Sequence, residues 1–206
     1  MLKTPKFPNF NATTVAQMGD GFSMGFVLRR HSKAQPGDIL IDSRDTQDLN
    51  AGDKPPAGVA VVVSNSTGIA LSISDGETLV QLETDSVCTK VLRSAADLEQ
   101  QHFVGFVVDA GPRILRVAVD GVLCDGGAPS AKPRPVGPPN GHGYTFFNPL
   151  AGDIRGSDEM RLTPTYGGEM VEVQLYERAL LTSELVGNYR QCCAKKGHAV
   201  VADNQE

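Results

Sequence analysis

Until about residue 180 this chain hardly ever repeats apolar residues at helical spacing. It alternates them, in short runs cut by Gly, Asp, Asn and Pro. That pattern narrows the choice of fold more than any other feature. Successive side chains of an extended strand point to opposite faces, so Phe22, Met24, Phe26 and Leu28 share one face of a strand Phe22–Arg29. The same reading predicts strands at Asp38–Asp42, Val59–Asn65, Ile69–Ser74 and Leu79–Thr84. The last three are joined by the turns Ser66-Thr67-Gly68 and Asp75-Gly76, which makes a meander. Next come His102–Asp109, with Val104, Phe106 and Val108 on one face, and Ile114–Leu123, with Leu115, Val117 and Val119 pointing one way and a turn at Asp120-Gly121. Tyr144–Phe147, Met160–Thr163 and the stripe Val171, Val173, Leu175 complete the set.

Three stretches read as loops: Ser43–Pro56, the Pro/Gly-rich Gly126–Asn140, and Asn148–Glu159. A single helical turn is expected at Ala95–Gln101 and a true helix only at Thr182–Ala194. About ten to thirteen short strands with a turn every eight to twelve residues specify an all-β chain, an antiparallel sandwich or barrel. No internal repeat and no linker divides it. The expected organisation is an N-terminal linker or edge segment over 1–19, one domain over 20–195, and a tail over 196–206.

Composition excludes several roles. The 206 residues carry a formal net charge of −5 and no basic block, so phosphate contacts to nucleic acid have no source. No apolar run approaches the roughly 18 residues of a membrane span. The start, MLKTPKFPNF, lacks an apolar signal core, while Pro5 and Pro8 give it the look of a linker. The reading favoured is an exported protein, extracellular or periplasmic, whose signal or upstream domain lies outside this sequence. The four cysteines, Cys88, Cys124, Cys192 and Cys193, form no CxxC, and an adjacent pair is a poor chelate for zinc. Disulfides and buried thiols both remain open.

Three segments, in order, carry a resemblance. Phe22-Ser-Met-Gly-Phe-Val-Leu is followed by His102-Phe-Val-Gly-Phe-Val-Val-Asp-Ala-Gly with Leu115-Arg-Val-Ala-Val-Asp-Gly-Val-Leu. Val171-Glu-Val-Gln-Leu-Tyr-Glu-Arg-Ala-Leu, then Glu184-Leu185, ends the series. Together, over roughly residues 20 to 193, they resemble the laminin G-like jelly rolls of the concanavalin A-like lectin/glucanase superfamily. The last segment is similar to the family's "D-E-V-R-I-Y-N-R-A-L-S-x-x-E-I". The chain departs from the pattern with no Trp at all, His102 where a Trp is common, Val171 in place of Asp, and Leu181 in place of a helix-capping Ser or Thr, with Thr182 as a substitute cap. The resemblance implies a two-sheet antiparallel jelly-roll sandwich with one short C-terminal helix. Read physically, the ending is a closure device: Val173 and Leu175 lie in a central last strand, Arg178-Ala-Leu180 leaves the sheet, and Leu180 and Leu185 pack under the sandwich edge.

The resemblance also implies chemistry to look for. Hydrolases of the superfamily carry Glu-x-Asp-x-x-Glu on one strand. Here Glu83-Thr-Asp85-Ser-Val-Cys88 puts two carboxylates on one strand face, with Cys88 where the acid should be. No Gly-x-Ser-x-Gly elbow accompanies His31, His102, His142 or His198. Calcium, which many relatives bind, would draw on Asp42, Asp45 and Asp48 in one loop, or on Asp153 and Asp158 in another. Sugar stacking would draw on His142, Tyr144, Phe146 and Asn148, with Tyr144 and Phe146 sharing a strand face opposite Phe147. Asn11-Ala-Thr13 and Asn65-Ser-Thr67 fit the N-glycosylation pattern. The function implied is a non-catalytic carbohydrate-binding or accessory module of an exported glycan-acting protein, partnered by a poly- or oligosaccharide or by a neighbouring domain. The alternatives are a structural or protein-interaction sandwich with no ligand, and a glycoside hydrolase.

Overall fold

The computed structural model describes residues 21–45, 54–93, 100–124, 144–146 and 156–194. Among them are eleven strands: β1 (Phe22–Arg29), β2 (Ile39–Arg44), β3 (Gly58–Val63), β4 (Ile69–Ser74), β5 (Leu79–Glu83), β6 (Gln101–Asp109), β7 (Ile114–Val119), β8 (Val122–Leu123), β9 (Tyr144–Phe146), β10 (Gly156–Leu162) and β11 (Glu169–Tyr176). A 3-10 turn covers His31–Lys33, and two helices, α1 (Ser86–Leu92) and α2 (Thr182–Ala194), complete the set. One sheet has six strands in the order β11-β1-β6-β7, with β8 and β9 both paired to β7; the other runs β10-β2-β3-β4-β5. Every pairing is antiparallel. The chain is therefore an all-β, two-sheet antiparallel sandwich.

Alternation places the core. Phe22, Met24, Phe26 and Leu28 of β1, Val104, Phe106 and Val108 of β6, and Leu115, Val117 and Val119 of β7 face Val59, Val61 and Val63 of β3 and Ile69, Leu71 and Ile73 of β4. Tight turns hold the strands in register. Asp120 and Gly121, with φ of 50° and 77°, take the left-handed conformations that a two-residue hairpin between β7 and β8 requires.

Alternation does not foresee that β1 and β6 are buried on both faces. The outer face of the six-stranded sheet carries Val27, Phe103, Val107 and Ala118, and these are covered by Leu180, Leu185 and Cys192. Burial of each leucine is worth roughly 1.5–3 kcal/mol. Close approach depends on two glycines paired across strands, Gly25 and Gly105. A Cβ at Gly105 would sit 2.3 Å from Leu185 Cδ1, and one at Gly25 2.9 Å from the Phe103 ring. So α2 lies over a sheet face, and the expected packing of Leu180 and Leu185 under the sandwich edge is corrected.

The exit after β11 is secured by polar contacts. The Ser23 hydroxyl donates to the Arg178 carbonyl and accepts from Leu180 N, both at 2.9 Å. Arg116 donates to the Leu180 carbonyl and to Thr182 Oγ1, each at 3.2 Å. Thr182 is thus a partner of Arg116, and Glu184 caps the helix instead: it accepts from Leu181 N at 2.8 Å and is gripped by the Arg178 guanidinium. Those contacts, Arg178 first, draw its carboxyl down to about 2.

Four further expectations are corrected. Among the described residues β11 is an edge strand, and Val173 is only half-buried. Residues 156–159, expected in a loop, belong to β10. A helix, α1 at Ser86–Leu92, follows β5 where none is expected, and Gln101, expected to end the turn from Ala95, starts β6. Finally, β5 stops at Glu83, so Glu83 and Asp85 do not share a strand. Asp85 caps α1 by accepting from Val87 N and Cys88 N at 2.9 and 2.7 Å. The propensity of Asp to satisfy orphan amides at a helix start outweighs strand continuation here. The Gly126–Asn140 loop, the 1–19 and 196–206 segments, Asn11 and residues 95–99 lie outside the described residues.

Candidate functional site

With α2 over the outer face of the six-stranded sheet, polar side chains that reach solvent gather along the borders of the outer face of the five-stranded sheet. Cross-strand register lays out a row there: Arg161 of β10 opposite Asp42 of β2, Asp42 opposite Ala60 of β3, Ala60 opposite Ser72 of β4, and Ser72 opposite Gln81 of β5. Four strand steps span about 19 Å. The flanking row is small as well, with Gly58 opposite Ser74.

Asp42 anchors one end. Its carboxylate accepts from Arg44 Nε at 2.8 Å, Arg44 Nη2 at 3.2 Å, Arg161 Nη2 at 2.7 Å and the Arg44 backbone N–H at 3.1 Å. Its side chain is 2% exposed, whereas that of Arg161 is 49% exposed. Burial pushes the Asp42 carboxyl up, but the Arg44 hydrogen bonds and the two guanidinium charges outweigh it and hold the group below its ordinary range. At the far end Gln81 Nε2 donates to Ser72 Oγ at 2.9 Å. The centre of the face, Ala60, Ala70, Ser72 and Ser74, is buried. Solvent reaches its borders: Arg44 and Arg161 on one side, Leu79, Gln81 and Glu83 of β5 on the other.

The residues expected from sequence lie only partly among the described residues. Asp42 sits in the row just described, and Asp45 follows β2 with its backbone N–H donating to the Ala57 carbonyl at 2.9 Å. Asp48 lies outside the described residues, as does Asp153, while Asp158 falls within β10. Tyr144 and Phe146 are on β9, in register with Arg116 and Ile114 of β7. His142 and Asn148 lie outside the described residues. Since β5 packs against β7, the β9 border and the β10 border are opposite sides of the sandwich. Tyr144 and Phe146 on β9 and Asp42 on β2 thus belong to different sheets. Any cation sought by Asp42 would compete with Arg44 and Arg161 for its oxygens. Arg161, Ser72 and Gln81 drew no attention in the sequence, because only strand register places them in one row with Asp42, and Arg44 joins them only through its contacts to Asp42.

Three other clusters carry groups of candidate chemistry. Cys88 and Cys124 form a disulfide, and with Asp85 they set three ligand-type atoms within 4.8 Å of one another. The sulfurs are covalently paired and Asp85 is committed to its cap. Of the histidines, His102 Nδ1 meets Asp120 Oδ2 at 2.7 Å while Asp120 Oδ1 accepts from Phe103 N, which fastens the β7–β8 turn to β6. His31 meets Tyr166 and the Thr67 carbonyl. His142 and His198 lie outside the described residues.

No family model matches the chain, and no curated protein does. Among solved structures, the chain is similar to the CBM40 of the Ruminococcus gnavus IT-sialidase bound to α2,6-sialyllactose, with a TM-score of 0.53 at 15% identity over 85% of each chain. The same module bound to α2,3-sialyllactose gives 0.51 at 14% identity over 86% of each chain. The botulinum neurotoxin serotype C1 binding domain gives 0.50 at 14% identity over 84% of this chain, which spans only 37% of that domain. Likeness at these identities establishes a shared β-sandwich fold.

Proposed function

We propose that this chain is a non-catalytic carbohydrate-binding module of the concanavalin A-like type, belonging to an exported glycan-acting protein. The observation that carries the reading is the extent of the likeness: the match to the CBM40 covers 85% of both chains, module against module. Loss of the Glu83/Asp85 pairing favours binding over hydrolysis. Export is supported by the Cys88–Cys124 disulfide, since such bonds persist in oxidising compartments.

The proposed recognition element is the β10 border of the five-stranded sheet. Asp42 fixes Arg161 from one side and leaves about half of its guanidinium-bearing side chain in solvent. A held, planar set of N–H donors suits sugar hydroxyls and, better, a sugar carboxylate, which it can engage bidentately. With one carboxylate and two guanidiniums, the cluster favours an acidic glycan over a neutral one.

A glycan array probed with and without chelator tests this. Binding of acidic glycans that is lost in Arg161→Gln, with the fold retained, is the expected result; dependence on calcium would bring Asp42, Asp45 and Asp48 into the reading. Silence in both arms would favour the second reading, an interaction domain. That reading has its own observation: Leu79 on β5 and Val87 and Val91, one turn apart on the adjoining α1, expose apolar surface at one border.

A further inference from the structure

One end of the sandwich is gathered around a buried imidazole. His31, in the 3-10 turn after β1, is 3% exposed. Its Nε2 lies 3.1 Å from the Thr67 carbonyl, in the β3–β4 turn, and its Nδ1 lies 2.9 Å from Tyr166 Oη, in the β10–β11 connection. The two rings stack with centroids 5.9 Å apart. A carbonyl can only accept, so Nε2 carries the proton; Nδ1 is then a bare acceptor, and the Tyr166 hydroxyl donates to it. Burial, with Asp38 nearby, keeps that hydroxyl protonated by pushing its pKa far up. The neutral ring thus satisfies a donor and an acceptor on two otherwise separate connections. The same connection has two further ties: Thr165 Oγ1 accepts from Ile39 N at 2.8 Å, and Asp38 Oδ2 accepts from Gly167 N at 2.9 Å.

We propose that His31 is an acid-responsive latch that holds the 163–168 connection against the β3–β4 turn while neutral and loosens it on protonation. A second ring proton would appear at Nδ1, where the Tyr166 O–H already points, and the hydroxyl would have to turn away. The resulting cation would be buried. Around it the Thr67 carbonyl favours a positive charge, Arg93 after α1 and His102 on β6 oppose it, and Asp38 before β2 favours it. Burial is the largest influence, and it sets the ring's pKa below the ordinary 6.5. The unfolded chain therefore takes up a proton below about pH 6.5 that the folded end refuses, and stability falls with acidification in that window.

The test compares wild type with His31→Gln and with Tyr166→Phe. Urea unfolding and amide hydrogen exchange of residues 163–168 are followed at about pH 7.5 and about pH 5. In wild type the unfolding equilibrium constant should rise, beyond that of His31→Gln, by up to tenfold per pH unit below the unfolded-chain value. Exchange at 163–168 should accelerate in parallel. In Tyr166→Phe exchange at these amides should be fast already at neutral pH. An NMR titration of the wild-type ring guards against a His31→Gln variant that fails to fold. Superimposable pH profiles, or a His31 ring titrating at the ordinary 6.5, would overturn the proposal. Glycan binding plays no part in these readouts, so they stand or fall independently of the carbohydrate reading.

Discussion

Asp42 shows how a single residue changes meaning between sequence and structure. In sequence it is one of several acids in a polar stretch and reads as a calcium ligand. In the fold it is nearly inaccessible and bound by two arginines, one of them 119 positions away. Replacing it with Asn would leave both guanidiniums facing an amide. Asp42→Asn should cost about 1–3 kcal/mol by urea unfolding. The sign of the pH effect follows from its lowered pKa. Its contribution is complete above the ordinary value of 3.8 and disappears as pH falls through the lower folded value. The variant should therefore lose part of the acid limb of the stability profile below about pH 4.

At the level of elements, α2 is the informative case. Its range was readable from Thr182 to Ala194, because apolar spacing and the Arg178-Ala-Leu180 exit mark it. Its docking surface was not readable. β1 and β6 carry residues that alternation assigns to solvent, and only the Gly25–Gly105 pair hints that another element approaches there. Within α2, Gly187 has no such duty: a Cβ placed on it meets nothing within 4 Å. Gly187→Ala should raise stability by about 0.5–1 kcal/mol, since alanine lowers the entropy cost of the helix without a clash. A rise in the urea midpoint, at unchanged slope, is the measurement.

For the molecule as a whole, the disulfide is the tie between layers. Cys88 is on α1, which follows β5 of the five-stranded sheet, and Cys124 directly follows β8 of the six-stranded sheet. It closes a loop of 36 residues. In the chain-entropy view, that removes conformations from the unfolded state worth about 4 kcal/mol, with measured cases nearer 2–4. Cys88→Ser with Cys124→Ser, or simple reduction, should lower the melting temperature by several degrees without changing the far-ultraviolet spectrum. An unchanged melting temperature would mean that core packing alone carries the junction between the sheets.

The layer architecture was already present in the order of residues. Period-two alternation, Gly-marked turns and the closing Tyr176–Leu180 segment dictate extended strands with one apolar side, and two such sides must meet to leave water. Which polar residues would stand together was not present there. Arg161, Asp42, Ser72 and Gln81 become neighbours through backbone register between strands distant in sequence. His31 and Tyr166 meet only when two connections fold over the same end. Local sequence sets the periodicity of each strand, whereas a site requires pairings between strands, and those are selected by the packed core as a unit.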